Sequence, residues 1–262
     1  MKKIPYLLIL ITGLFISCSA DDDANVEATW FPVKITKTDY LMSNNSKTIT
    51  LEYNSQNQIS KIEIKITDTG DSDFYAFEYN SNGQVTSMEQ TSNRSAAIGT
   101  VVNYTFNYSE DVLVSWNTQV IENGTAAGSG FRPVTYSNPK YIILENEITL
   151  GANNNISRML AYMSTSSGFG NHDFTIHWQT TPGVFEHVEP KIPLQLIFTV
   201  FNRLQMDFYA FSSQEISHLQ LPGETIVFQT TRNTDGNISS VTTLGVTTFY
   251  AKYDYEYERR RN

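Results

Sequence analysis

From Lys47 onward, apolar and polar residues alternate in short runs broken by turn-forming pairs, the two-residue period of strands with one buried face. Ile49, Leu51 and Tyr53 alternate with Thr48, Thr50 and Glu52, and after a polar interval Ile59, Ile62, Ile64 and Ile66 resume the pattern. Tyr75, Phe77 and Tyr79 lead into Asn82-Gly83, and Val85 and Met88 lead out. Asn82-Gly83 and Asp235-Gly236 predict type I′ hairpins, in which successive residues take positive φ and glycine does so without steric cost. At Asn57 and Asn154 asparagine, the next most tolerant residue, stands where glycine would. The steps from Ile59 to Ile62 and from Val85 to Met88 are one residue too long, which a bulge just past each turn accounts for. The last segment, 247–258, sets Phe249, Ala251, Tyr253, Tyr255 and Tyr257 against Lys252, Asp254, Glu256 and Glu258, a two-faced strand that should close the sheet. Residues 193–207 depart from this period. Leu194, Ile197, Phe198, Phe201 and Leu204 fall at helical spacing behind Pro190 and Pro193, which predicts one short helix, with a strand continuing to Phe211 as the alternative. Residues 122–130, with three glycines, and 164–170 read as loops.

The turns belong to a repeat. Tyr79-Asn80-Ser81-Asn82-Gly83-Gln84-Val85-Thr86-Ser87-Met88 is matched by residues 53–62 and 232–241, and more weakly around Leu150 to Met159, Phe211 to Leu219 and Tyr108 to Val114. These copies resemble tyrosine-aspartate and Rhs-type repeats. More closely they resemble a set of uncharacterised Bacteroidota lipoproteins whose repeats read Tyr-Asn/Asp-x-x-Gly-x-Ile/Val-Ser/Thr-x-Ile/Val. The resemblance covers residues 48–258 with interruptions. It implies an all-β fold, an extended, curled antiparallel sheet or partly open barrel of repeated hairpins, sometimes described as porin-like, and it implies no activity.

The first residues carry an address. Lys2 and Lys3 precede an apolar run from Ile4 to Ile16 that is too short to span a bilayer comfortably, and the run ends at Cys18, the only cysteine. Phe15-Ile16-Ser17-Cys18 resembles a bacterial lipobox, which implies acylation of Cys18 after removal of the leader. Asp21, Asp22 and Asp23 resemble the surface-export signal of Bacteroidota lipoproteins. The expected organisation is a signal peptide over 1–17, a lipidated acidic tether over 18–29 and one β-repeat domain over 30–262. The expected location is the outer membrane, lipid-anchored and facing the cell exterior.

A net charge of -9 argues against nucleic acid as a partner, because phosphate binding needs a concentrated basic surface. Arg259-Arg260-Arg261 is the one basic cluster, and it reads as a solvated end. With a single cysteine no intrachain disulfide can form, so stability must come from packing. His172 and His177, five residues apart on a strand, face opposite ways and defeat chelation. Asn233 to Asn237 looks like a calcium loop but lacks the bidentate Glu, so it reads as a turn. No metal and no cofactor is expected. Signatures for nucleophilic, metalloprotease, phosphate-loop or dinucleotide chemistry are absent from the sequence, and the carboxylate pairs Glu145/Glu147 and Asp71/Asp73 read as solvated edges. Trp116, Trp178, Tyr253 and Tyr255 could stack on sugar rings, or they could fill the core of a Tyr-rich sheet. The expected function is a non-enzymatic surface lipoprotein, structural or ligand-binding, with a glycan or an outer-membrane protein as partner. Its alternatives are a surface glycoside hydrolase and an accessory subunit of a transport or secretion complex.

Overall fold

The computed structural model of the protein describes residues 28–41, 46–143, 146–151, 154–165, 168–188, 196, 211–245 and 250–261. Its strands are β1 (Ala28–Asp39), β2 (Lys47–Tyr53), β3 (Ile59–Ile66), β4 (Ser72–Tyr79), β5 (Val85–Ser92), β6 (Thr100–Ser109), β7 (Val112–Glu122), β8 (Thr125–Ser137), β9 (Lys140–Ile143), β10 (Asn146–Leu150), β11 (Ile156–Thr165), β12 (Gly168–Pro182), β13 (Gln214–Leu221), β14 (Glu224–Arg232), β15 (Ile238–Leu244) and β16 (Tyr250–Arg261). Each pairs antiparallel with the next along the chain, and β16 pairs with β1, so the wall is a closed barrel rather than an open curled sheet. Closure follows from the expected two-faced last strand, which runs beside β1 from Asp39↔Ala251 to Ala28↔Arg261. Ala28 and Thr29, assigned by the sequence to the tether, already belong to β1. Cys18 and Asp21 to Asp23 lie outside the described residues. So does the stretch 193–207, apart from Leu196, which is buried.

Most strands bury one apolar side; β8 buries only Val134, and Lys37, Lys47 and Asp73 are buried as well. Ile35, Ile49, Ile64, Met88, Ile143, Ile148, Phe174, Leu219, Ile226 and Tyr253 are at most 1% exposed and join one buried cluster that runs around the barrel. A round barrel of this strand number would enclose an aqueous channel, but at the level of these residues the interior is filled by side chains. Phe185 and Phe211, from the connection between β12 and β13, join the same cluster with their ring centroids 5.1 Å apart. The outer side is polar and charged. Lys34 pairs with Glu256 at 2.6 Å, Lys61 with Glu52 at 3.0 Å, Lys140 with Glu147 at 2.6 Å, Lys252 with Asp254 at 2.7 Å, and Arg158 with Asp173. Exposed pairs of this kind add little to stability, because water and salt screen them.

The repeat is a turn joined to a bulge and a tyrosine latch. In the turn Asn80 donates its N–H to the Gln84 carbonyl, Gly83 donates to the Asn80 carbonyl, and the Asn80 side-chain oxygen accepts from the N–H groups of Asn82 and Gln84. Asn54 and Asn233 do the same in their copies. In the three fully described turns only one residue takes positive φ, namely Asn57, Gly83 or Gly236, and Asn154 takes it in its own turn. These are therefore three-residue loops closing in a glycine-type bulge rather than the expected type I′ turns, because the side chain of the leading asparagine holds the two residues after it right-handed. Successive positive φ occurs instead at Asn123 and Gly124, between β7 and β8. The stretch 122–130, read as a loop, is therefore a two-residue hairpin whose second strand begins at Thr125, and much of 164–170 is likewise strand.

Past each turn one residue is skipped in the ladder, as the sequence predicted. Tyr53 faces Ile59 and Glu52 faces Lys61, while Tyr79 faces Val85 and Glu78 faces Ser87. The carbonyl just before each bulge then takes a hydrogen bond from the next motif along the wall. The Tyr79 hydroxyl donates to Ile59 O at 2.5 Å, Tyr108 to Val85 O at 2.9 Å, Tyr257 to Ile238 O at 2.8 Å and Tyr53 to Pro32 O at 2.6 Å. Trp178 fills the same role toward Ile156 O at 3.0 Å. Burial pushes the pKa of all four tyrosines well above the ordinary phenol range, so they remain donors. Tyr79→Phe keeps the ring and orphans the Ile59 carbonyl, and should cost about 1–3 kcal/mol in urea denaturation. Tyr40→Phe, at an exposed site, should leave the midpoint unchanged.

Candidate functional site

The aromatic residues that the sequence nominates for stacking take the core alternative. Trp116 is 3%, Tyr253 0% and Tyr255 8% exposed, all inside the wall, and half-buried Trp178 spends its indole N–H on the latch. No ring face among the three buried side chains is open to an external ligand. His172 and His177 point to opposite faces as expected. His177 stacks instead on His218 across the β12–β13 pair, with centroids 4.0 Å apart and rings 9° from parallel. Burial and the neighbouring His177 lower the His218 pKa. Among the described residues no three His, Cys, Asp or Glu side chains come together as a metal site.

The carboxylate pairs are separated as well. Asp73 turns inward and binds Arg94 at 2.8 Å near the barrel end opposite the motif turns, while half-buried Asp71 stands two residues earlier. Glu147 is held by Lys140, and Glu145 is not among the described residues. Arg259 to Arg261, read as a solvated end, are ladder residues. Arg260 donates to Asn57 Oδ1 at 3.0 Å and to the Asn54 carbonyl at 3.0 Å, and its guanidinium lies 5.4 Å from the Tyr53 ring centroid.

An accessible concavity with aromatic and titratable walls lies at the motif end of the barrel, where β1 begins and β16 ends. It is a crevice of about 200 Å³ between Trp30, the Pro182–His187 turn, the 232–237 turn and Tyr257. Gly183 is required there. A Cβ on it would come within 2.6 Å of the Gln214 backbone, and its N–H donates to the Ser213 carbonyl at 3.0 Å. Arg232 braces the floor, donating to Glu215 at 2.6 Å and to the Gly236 carbonyl at 2.8 Å. Partial burial raises the Glu215 pKa, but its hydrogen-bond donors, Arg232 and Thr181 among them, outweigh this and hold the carboxyl below its usual range. Glu186 lies 3.4 Å from His187. The crevice is lined by the Trp30 indole, which has the Arg259 guanidinium 6.0 Å from its ring centroid, and by two carboxylates in Glu186 and Asp235, while the amide nitrogen of Asn237 is buried. These groups can stack on and hydrogen-bond a small polar ring. From the sequence, Asp235 and Asn237 figure only as part of a calcium loop read as a turn, and Trp30 and Glu186 are not singled out, because the crevice is assembled from four segments distant along the chain.

A second concavity, about 300 Å³ in size, lies on the outer wall over β2 to β5, with Phe74 at its floor and Glu52, Lys61, Glu63 and Glu89 around it. It is a dip in the charged face.

No protein-family model matches the chain, and no curated protein is similar to it. Among solved structures, it is similar to a porin-like protein from Bacteroides uniformis ATCC 8492, with 15% identity over 87% of this chain and 96% of that one and a TM-score of 0.47. A porin-like protein from Bacteroides vulgatus ATCC 8482 gives 10% identity over 88% and 99% of the two chains and a TM-score of 0.43.

Proposed function

We propose that this chain is a non-enzymatic, lipid-anchored lipoprotein of the outer membrane. Its barrel stands in water as a structural or ligand-binding module. The observation that carries the reading is the sidedness of the wall, apolar within and charged without, which fits a barrel carried beside a bilayer rather than through one. A lysine facing lipid at mid-membrane would cost about 2–4 kcal/mol, and Lys34, Lys61 and Lys252 all stand on the outer wall. Anchoring then falls to Cys18, and Asp21 to Asp23 direct the protein outward. The tyrosine-aspartate-like repeat supplies the scaffold, and the crevice beside Trp30 supplies the place for a ligand, with a small glycan as the class that an indole face and two carboxylates suit best.

The test is intact-mass analysis of the protein extracted from a bacterium that processes lipoproteins. The expected species begins at Cys18 and carries acyl chains on it. An unmodified Cys18, or a chain that keeps residues 1–17, would overturn the anchor.

A further inference from the structure

We infer that Asn123 is a site of spontaneous modification, converted to aspartate and isoaspartate through a cyclic imide with Gly124, and that the same dipeptide at Asn82-Gly83 is protected by its turn. Asparagine followed by glycine is open to this reaction because no side chain on the second residue hinders its nitrogen from reaching the amide carbon. In the first step the Gly124 nitrogen gives its proton to solvent base and attacks Asn123 Cγ. A C–N bond forms, the side-chain nitrogen leaves as ammonia, and a five-membered imide results. Water then opens the ring at either carbonyl, giving aspartate or, with the backbone rerouted through Cγ, isoaspartate. Water is the only co-reactant, and nothing is oxidised or reduced.

What separates the two sites is the glycine N–H. Gly83 is half-buried and donates to the Asn80 carbonyl at 3.0 Å, so the attacking nitrogen is already held. Asn80 Oδ1 fixes the N–H groups of Asn82 and Gln84 at 3.0 Å each, and the Gln84 side chain reaches on to the Glu110 carbonyl at 3.0 Å. A Cβ on Gly83 would lie 3.2 Å from Gln58 Nε2, so the neighbouring turn packs against this one. Asp235-Gly236, which can cyclise with loss of water, is tied in the same way, with Gly236 donating to the Asn233 carbonyl at 3.1 Å.

Gly124 has none of these holds. It lies between β7 and β8, no group among the described residues accepts its N–H, and a Cβ on it would meet nothing within 4 Å. The Asn123 N–H does donate, to the Gly99 carbonyl at 2.8 Å, but that nitrogen is not the one that reacts. Both residues are exposed, and Asn123 takes φ 49°, a region that asparagine holds less easily than glycine. Ring closure requires the peptide between them to rotate out of the turn, and the tip is lightly fastened against this. The β7–β8 ladder slips between Ile121 and Val120, so only Glu122↔Thr125 and Ile121↔Ala126 stand between the slip and the tip. On its other side β8 meets no strand among the described residues until Val134 pairs with Ile143. Isoaspartate adds a methylene to the backbone there, which loosens the Glu122↔Thr125 pair and frays the tip.

The test is peptide mapping of the full chain after incubation in mildly alkaline buffer, once folded and once in urea, with the aspartate and isoaspartate products separated by chromatography. In the folded protein Asn123 should be converted about tenfold faster than Asn82, the difference that one backbone hydrogen bond makes. In urea the two rates should come together, since both sites then share the same local chemistry. Asn80→Ala, which removes the side chain that organises the protected turn, should raise conversion at Asn82 and leave Asn123 as it was. Equal rates in the folded chain, faster conversion at Asn82, a difference that survives in urea, or an Asn82 rate unmoved by Asn80→Ala would each overturn the inference. Neither the acylation of Cys18 nor the crevice enters these outcomes, so failure here leaves the proposed function untouched.

Discussion

Ile49→Lys is expected to abolish folding, whereas Thr50→Lys, one residue along the same strand, is expected to leave the denaturation midpoint where it is. Ile49 is 0% exposed inside the barrel, and Thr50 stands on the outer wall. An unpaired ammonium group in a filled apolar interior costs several kcal/mol, against a total stability of about 5–15 kcal/mol for a domain. A lysine on the solvated face is worth no more than about 0.5 kcal/mol either way. In a barrel that faced lipid and enclosed water the order of the two variants would be reversed, with the outer substitution harmful and the inner one tolerated. Urea denaturation followed by far-UV circular dichroism, without detergent, reads both.

Removal of residues 250–262 is expected to unfold the entire protein rather than to trim it. β16 carries Ala251, Tyr253 and Tyr255 into the core and joins β15 to β1. Its loss opens two long strand edges at once and uncovers the inward faces of both neighbours. In a repeat array whose units contact only their neighbours, deletion of a terminal unit costs about one unit's share of stability and leaves the rest folded. The two architectures thus give different results in one truncation. A closed barrel yields aggregated or proteolysed chain, and an open curled sheet yields a shorter, soluble β protein.

The alternation of Ile49, Leu51 and Tyr53, and its one-residue slip after each turn, was legible because both features are local: two neighbouring residues report the face, and the slip reports the bulge. Closure was legible only as far as the pattern over 247–258, since nothing in a strand's own sequence says which distant strand it meets. The same limit explains the tyrosines. Tyr53 and Tyr79 end their strands at the same place in the motif, which marks them as special, but the acceptor is a carbonyl freed by the bulge of another repeat and becomes visible only when the strands are side by side. Turn type was misread because Asn82-Gly83 and Asn123-Gly124 are the same dipeptide. What separates them is Asn80, whose side chain organises the longer loop, and no residue before Asn123 acts in this way. The strand Thr125 to Gly130 was hidden by composition. Glycine and alanine disfavour strands, yet pairing with β7 holds them extended. The crevice at Trp30 was not legible at all, because its members come from residues 30, 182–187, 232–238 and 257.

The proposed function has the outer wall of this barrel facing water and the lipid alone holding it to a membrane. Its most direct test is release by tether cleavage: a site-specific protease sequence placed at Ala24, the protein reconstituted into vesicles, and the supernatant assayed after cleavage and sedimentation. The barrel should leave the vesicles, stay soluble without detergent and keep its β-sheet spectrum. A cleaved barrel that sediments with the vesicles would contradict the claim.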